Sequence, residues 1–233
     1  IKAGRYFDKN GKQISSSETR NGRLDLVGYT PQGTKRNIVP YDAAGEVDGV
    51  RIYYFGSGKE RIRETYSKGE LQGNTTAIYP NGKKNYTIDF DKGGRSGYYQ
   101  SWYPNGSLQV EGWYEEDKIQ GEWLQYDKQG KLSMKTSYLN DLRHGLRSEY
   151  WPNGIAHTVT QFQADNPVAL WEYDTTGKLI HQVQLKAGTG QFKSVYPTGK
   201  LYSECTYKNY DIEGPRKFYF FDGSLNVVQN FVH

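Results

Sequence analysis

"YPNG" occupies Tyr79 to Gly82 and again Tyr103 to Gly106, and "WPNG" follows at Trp151 to Gly154. Pro presets φ at the first corner of a turn, and Asn tolerates the second. Gly takes the left-handed position that a short bulged hairpin loop needs. An aromatic residue just before the turn suits a strand end. Each tetrapeptide therefore reads as strand, tight turn, strand.

The turns recur at nearly constant spacing. Aligned on the last Gly they are Gly11, Gly33, Gly58, Gly82, Gly106, Gly130, Gly154, Gly177, Gly199 and Gly223, and from Gly58 onward the steps are 24, 24, 24, 24, 23, 22 and 24 residues. Eight residues after the turn Gly stands an aromatic such as Tyr66, Phe90, Tyr114, Tyr138 or Phe162, and nine residues before it stands a second Gly, as at Gly49, Gly73, Gly97, Gly121 and Gly145. The copy around Gly177 departs from this, with Val168 after Pro167 where the leading Gly belongs. A fixed period of this length marks a repeat architecture. The sequence predicts an all-β chain with no substantial helix. It is an open array of about ten β-hairpins with a period of ~24 residues, forming one elongated, twisted antiparallel sheet. Residues 1–233 read as one repeat domain, with looser copies over 1–48, the most regular over 49–162 and the C-terminal copies over 163–233.

Side chains alternate along each hairpin. After the turn, positions +2, +4 and +8 lean apolar, as in Leu108, Val110 and Tyr114, and position −4 is apolar in every regular copy, as in Tyr54, Ile78, Trp102, Tyr126 and Tyr150. This gives a stripe of rings on one face, with Trp102 expected to be buried. A lone hairpin is marginal in water, so stacking of neighbours must complete the core.

The bulk composition excludes several classes of function. Hydrophobic residues make up 35% and Tyr alone numbers 21, so large rings do much of the burying. No apolar run is long enough for a transmembrane helix. The net charge of +4 is spread along the chain without a basic block, which argues against nucleic acid. Cys205 is the single cysteine, so no disulfide forms within the chain, and it reads as a small strand residue facing the rings. His144, His157, His181 and His233 lie in no zinc signature, and the acidic run Glu115, Glu116 and Asp117 sits in a connector without a calcium-loop pattern. No catalytic motif, metal site or cofactor is expected, and the chain reads as a non-enzyme. Met134 is the only methionine, so a segment is expected to have been removed before Ile1, either a signal peptide or a boundary of the expressed fragment.

The stretch "YPNGSLQVEGWYEEDKIQGEWLQYDKQGKLSMKTSYLNDLRHGLRSEYWPNG" (103–154) resembles the bacterial variant of the MORN repeat, the type found in YwqK-family antitoxins. The resemblance implies a non-catalytic binding scaffold without cofactors. It further implies an immunity protein in the periplasm that binds a cognate secreted toxin, such as a lipase or phospholipase effector of a type VI secretion system. The protein would be a monomer before it meets the toxin. The alternative is a MORN-type scaffold that tethers membrane phospholipid or other proteins.

Candidate partner-binding residues lie on the odd positions of the central copies. These are Tyr99, Trp123 and Arg147 at −7, Glu149 and Glu172 at −5, and Tyr103 and Trp151 at −3. Tyr, Trp and Arg are the side chains enriched at binding hot spots. The odd face is either a docking face or a second core covered by curvature. Trp123 and Trp151 are expected to be its better exposed rings. The carboxylates of Glu149 and Glu172 are candidates to meet a cationic pocket on the toxin.

A far-ultraviolet circular dichroism spectrum of β type is the expected outcome for the purified protein. A helical spectrum would contradict the repeat reading.

Overall fold

In the computed structural model, which describes residues 3–231, each turn of the repeat closes through the same pair of backbone hydrogen bonds. Ile1 and His233 lie outside the described residues. At the second YPNG, the Tyr103 amide donates to the Ser107 carbonyl at 2.9 Å and the Gly106 amide to the Tyr103 carbonyl at 2.8 Å. The Asn105 side-chain oxygen accepts the Ser107 amide at 3.0 Å. Gly106 sits at φ 92°, where a β-carbon is strained, and the other turn glycines share its sign.

The tetrapeptide also reaches along the array. The Tyr79 hydroxyl donates to the Trp102 carbonyl at 2.9 Å, and the Asn81 carboxamide to the Pro104 carbonyl at 2.8 Å. The Asn153 carboxamide does the same to the Thr175 carbonyl at 2.9 Å. One copy's turn thus satisfies carbonyls of the next copy's turn. That is a physical reason for writing the same letters once per repeat.

The connector at the other end of the central hairpins is a two-residue turn with both residues at positive φ, as at Glu116 and Asp117 (48° and 66°), Asn140 and Asp141 (54° and 68°) and Ala164 and Asp165 (48° and 65°). This geometry matches the right-handed twist of the strands it joins. The connectors are stitched together by a reciprocal clasp. The Asp117 amide donates to the Arg95 carbonyl at 2.9 Å, while its carboxylate accepts the Arg95 amide at 2.9 Å. Asp141 clasps Ile119 in the same way, at 3.1 and 2.7 Å, and Asp165 clasps Arg143 at 2.9 and 2.9 Å. Hydrogen bonds from Arg95 and Arg143 hold the carboxyls of Asp117 and Asp165 below the usual carboxylate range.

The described residues form 21 strands and no helix, every pairing is antiparallel, and the sheets are open. The chain divides into two compact units at Lys118/Ile119. In the first, β1 (Ala3–Phe7) and β2 (Gln13–Glu18) form a two-stranded sheet. There follow β3 (Leu24–Tyr29), β4 (Lys35–Tyr41), β5 (Gly49–Tyr54), β6 (Glu60–Ser67), the two-residue β7 (Glu70–Leu71), β8 (Gly73–Ile78), β9 (Lys84–Asp91), β10 (Gly94–Trp102) and β11 (Leu108–Glu115). Apart from β7, which pairs only with β6, these are hydrogen-bonded in chain order. In the second unit one sheet runs in chain order through β12 (Lys118–Tyr126), β13 (Leu132–Leu139), β14 (Leu142–Tyr150), β15 (Ala156–Gln163), β16 (Asn166–Tyr173) and β17 (Leu179–Gln184). A separate sheet holds β18 (Gly190–Val195), β19 (Leu201–Lys208), β20 (Asp211–Tyr219) and β21 (Leu225–Asn230).

The core differs from the expected ring stripe. Beside each turn the register slips by one residue. Ser101 faces Val110, yet Trp102 faces Leu108, and the slip recurs at Gln125/Tyr126 and Glu149/Tyr150. The slip breaks the simple parity count through the turn. The odd positions of the leading strand consequently share a face with the even positions of the trailing strand, and no separate odd face forms. Tyr99 stands opposite Gly112, edge-on to Tyr114 at 6.0 Å, and Trp123 stands opposite Thr136. A small residue at +6 leaves room for the large one at −7. Small residues are buried there, with Thr75, Ala77, Ser101 and Thr136 each at most 6% exposed, beside the +8 side chains Tyr114 and Phe162 at 9% and 7%. Trp102 is partly exposed, with Lys84 Nζ 5.2 Å from its ring centre, which corrects the expectation that it is buried. In a single sheet layer the rings roof the small side chains and keep their own outer side wet.

Gly130 isolates the cost of the left-handed turn, because it sits at φ 83° and a β-carbon there would meet nothing within 4 Å. Gly130→Val should lower stability by more than about 1 kcal/mol in urea denaturation, from backbone strain alone. An unchanged midpoint would contradict the turn assignment.

Candidate functional site

The clasp that joins connectors requires a backbone N–H on one residue and a carboxylate on the other. The residues that would form the next clasp after Arg143–Asp165 are Pro167 and Gly188. Pro has no N–H and Gly has no carboxylate, so the amide-to-carboxylate half of the clasp loses its donor and its acceptor together. Gly188 lies in a left-handed pair with Ala187 (φ 70° and 47°), like the other connectors, but among the described residues its amide makes no bond to Pro167. The sheet ends at this point: β17 and β18 lie in different sheets.

Side chains take over where the ladder stops. The Glu172 carboxylate accepts the Val195 amide at 2.8 Å, and His181 Nε2 lies 3.1 Å from the Lys193 carbonyl. Between the two sheets opens a cleft of about 690 Å³. One wall comes from β14, β15 and β16 with Arg143, Arg147, Glu149, His157 and Glu172, and the other from β18, β19 and β20 with Phe192, Cys205, Tyr207 and Arg216. Trp151 and Tyr196, from the turns, also line it. The volume falls within the ~300–1,000 Å³ of ordinary ligand sites.

Four of the seven candidate residues meet here. Arg147 and Glu149 form an ion pair at 2.7 Å, the Trp151 ring lies 4.0 Å from the His157 ring, and Glu172 is only 4% exposed. Tyr99 and Tyr103 belong to the first unit, and Trp123 packs on β12 outside the cleft lining. Trp123 and Trp151 are partly buried, and the tryptophan on the surface is Trp113, 51% exposed and 6.5 Å from the Tyr98 ring. This corrects the expectation that Trp123 and Trp151 are the better exposed rings. Trp113 sits at +7, on the side of the sheet facing away from the small buried residues.

The electrostatics also differ from expectation. Glu149 is engaged by Arg147, and Glu172 by a backbone amide of the opposite sheet, so neither carboxylate is available to a cationic pocket. Burial pushes the Glu172 carboxyl above its ordinary range, opposed by its hydrogen bonds from Val195 and Ser194 and by His181. Burial likewise pushes His157 down, with Glu149 opposing. Cys205 is 8% exposed, and burial raises its thiol while Arg216 opposes the shift. Arg143 pairs with Asp165 at 2.7 Å. Arg216 lies over the Phe218 ring at 4.9 Å, and among the described residues its buried Nε has no acceptor. An orphaned buried donor costs about 1–3 kcal/mol.

Sequence reasoning missed Arg216 and Tyr207 on the far wall, Tyr196 in its turn, and His157 on the near wall. A signal existed. Arg216 stands seven residues before Gly223, the same repeat position as Arg147 before Gly154.

Comparison with known families matches the MORN repeat variant at residues 95–116, 119–140 and 189–209. Repeats of this kind suggest a protein-binding or scaffold role. No curated protein matches the chain. Among solved structures, chains of the TcdB2–TccC3–Cdc42 complex and of the Photorhabdus luminescens Tc holotoxin pore align with 14% and 15% identity and TM-scores of 0.23 and 0.24. Each alignment covers 98% of this chain and 15% of the other, so the chain spans a small part of their length. Likeness at this level carries no functional argument.

The raised Glu172 carboxyl gives a pH signature. Its ionised form is disfavoured in the folded state, so its contribution is greatest when it is protonated and is lost as pH rises through its raised value. Glu172→Gln keeps an oxygen for the Val195 amide but does not ionise. Between about pH 4 and about pH 7 the wild type should lose stability relative to Glu172→Gln in urea titrations. A difference that moves the other way would contradict the burial of this group.

Proposed function

We propose that the protein is a non-catalytic immunity protein that binds a cognate secreted bacterial toxin and neutralises it sterically. The observation that carries this reading is the cleft of the second unit, where Trp151, Arg147, Glu149 and Glu172 converge between two stitched sheets. Concave, ring-lined sites with Arg are where binding energy concentrates, and side chains held by sheet neighbours lose little entropy on docking. A protruding loop of the toxin would enter the cleft while the flanking strands cover the toxin's substrate entrance. The resemblance to YwqK-family antitoxins suggests the toxin class, a lipid-degrading effector of a type VI secretion system, and suggests the periplasm as the place of action.

The test is binding of the purified toxin encoded beside the gene, with each variant first shown to be folded. Trp151→Ala and Arg147→Ala should each weaken binding by about 2 kcal/mol or more, and both should abolish rescue of a poisoned cell. Trp123→Ala, outside the cleft, should weaken binding less. Wild-type binding by all three, with binding lost on changes before residue 97, would overturn the site. Liposome binding without any toxin binding would favour a membrane tether instead.

A further inference from the structure

Three copies of the repeat place an arginine seven residues before the turn Gly: Arg51, Arg147 and Arg216. The first two have a carboxylate waiting. Arg51 pairs with Glu64 at 2.8 Å, and Arg147 with Glu149 at 2.7 Å. The repeat positions that supply those acids are +6 and −5. In the last copy they hold Gln229 and Phe218. Arg216 therefore lacks the partner that its equivalents have, and among the described residues its buried Nε has no hydrogen-bond acceptor. It lines the cleft rather than the solvent-facing side of the sheet.

We propose that the cleft is a binding site for a single carboxylate carried on an aromatic or aliphatic group, with Arg216 as the cation that pairs with it. A buried guanidinium nitrogen without an acceptor is a vacancy for an anion, and a planar fork matches a carboxylate. Arg143 and Arg147 are already matched by Asp165 and Glu149, and Glu172 adds a further acid. With three arginines set against three acids the lining carries no surplus positive charge, so a ligand carboxylate is held by the fork of Arg216 itself, and a dianion such as phosphate would be repelled by the acids around it. Tyr207 lines the same cleft, and its hydroxyl is a further donor for the anion. Phe192, Tyr196 and Trp151 supply the apolar wall for the rest of the ligand.

The inference deepens the docking reading and rests on it only for the source of the carboxylate, a side chain or C-terminus of the partner or else a free organic acid. The experiment uses the full chain alone with phenylacetate, phenylacetamide and inorganic phosphate as probes, followed by changes in amide NMR shifts. Phenylacetate should shift residues lining the cleft, and phenylacetamide and phosphate should bind at least about tenfold more weakly, the loss expected for a charge-assisted pair. Arg216→Gln should remove the preference for the acid, and Arg216→Lys, which keeps the charge but not the fork, should retain part of it. Circular dichroism confirms that both variants fold. Equal binding of acid and amide, or an unchanged preference in Arg216→Gln, would overturn the proposal. So would absence of binding by phenylacetate and by the dipeptide Gly-Phe alike. Tighter binding of Gly-Phe than of its C-terminal amide, and than phenylacetate, assigns the carboxylate to a peptide. The reverse order assigns it to a small acid. These outcomes do not involve the toxin, so failure of rescue and failure of this site are separable.

Discussion

The reciprocal clasp between successive connectors is the interaction on which the rest of the structure depends. A β-hairpin of this size has too little apolar surface to hold itself together, and its core completes only when the next hairpin is set beside it in the right register. The clasp fixes that register at the end of the hairpin where strands would otherwise splay. Each of Asp117, Asp141 and Asp165 gives its amide to a residue one copy back and takes that residue's amide on its carboxylate. Both connector residues must be left-handed to aim these groups, which is why Asn, Asp and Gly recur there. At the opposite end the Tyr and Asn of the turn perform the matching task by reaching the next turn's carbonyls.

A ladder of similar contacts is changed most where it is interrupted, and in the second unit that is at Pro167 and Gly188. Pro167 and Gly188 remove the donor and the carboxylate together, and the sheet divides just beyond them. The edges so created would leave backbone groups unsatisfied, and Glu172 and His181 supply partners to Val195 and Lys193 across the gap. The result is a concave site made from two sheets. Its chemistry comes from side chains that elsewhere in the array belong to regular −7 and −5 positions. The candidate site is a local departure from a repeat rather than an added domain.

The sequence made the array legible because its turns have strict stereochemistry. Spacing of Gly106, Gly130 and Gly154, and the irregularity at Pro167, could be read directly, and Arg147, Glu149, Trp151 and Glu172 were singled out from repeat position. The face they occupy was misread. A period-two count passes through the turn without seeing the one-residue slip at Ser101/Trp102, and that slip merges two faces into one. Trp113 was overlooked for the same reason, and Tyr99, Tyr103 and Trp123 were grouped with residues of a cleft that they do not line. Arg216 was missed because its role depends on an absent neighbour, which a scan for present motifs does not register.

Residue-resolved hydrogen exchange tests the clasp most directly. Connector amides in ordinary hairpins face water and exchange quickly, so protection there has no other source in this fold. The account predicts slow exchange for the amides of Asp117, Asp141 and Asp165, whose carbonyl acceptors lie one copy back, and fast exchange for the amide of Gly188, which has no such acceptor. Uniformly fast exchange at all four connectors, or protection at Gly188 equal to that at Asp165, would contradict it.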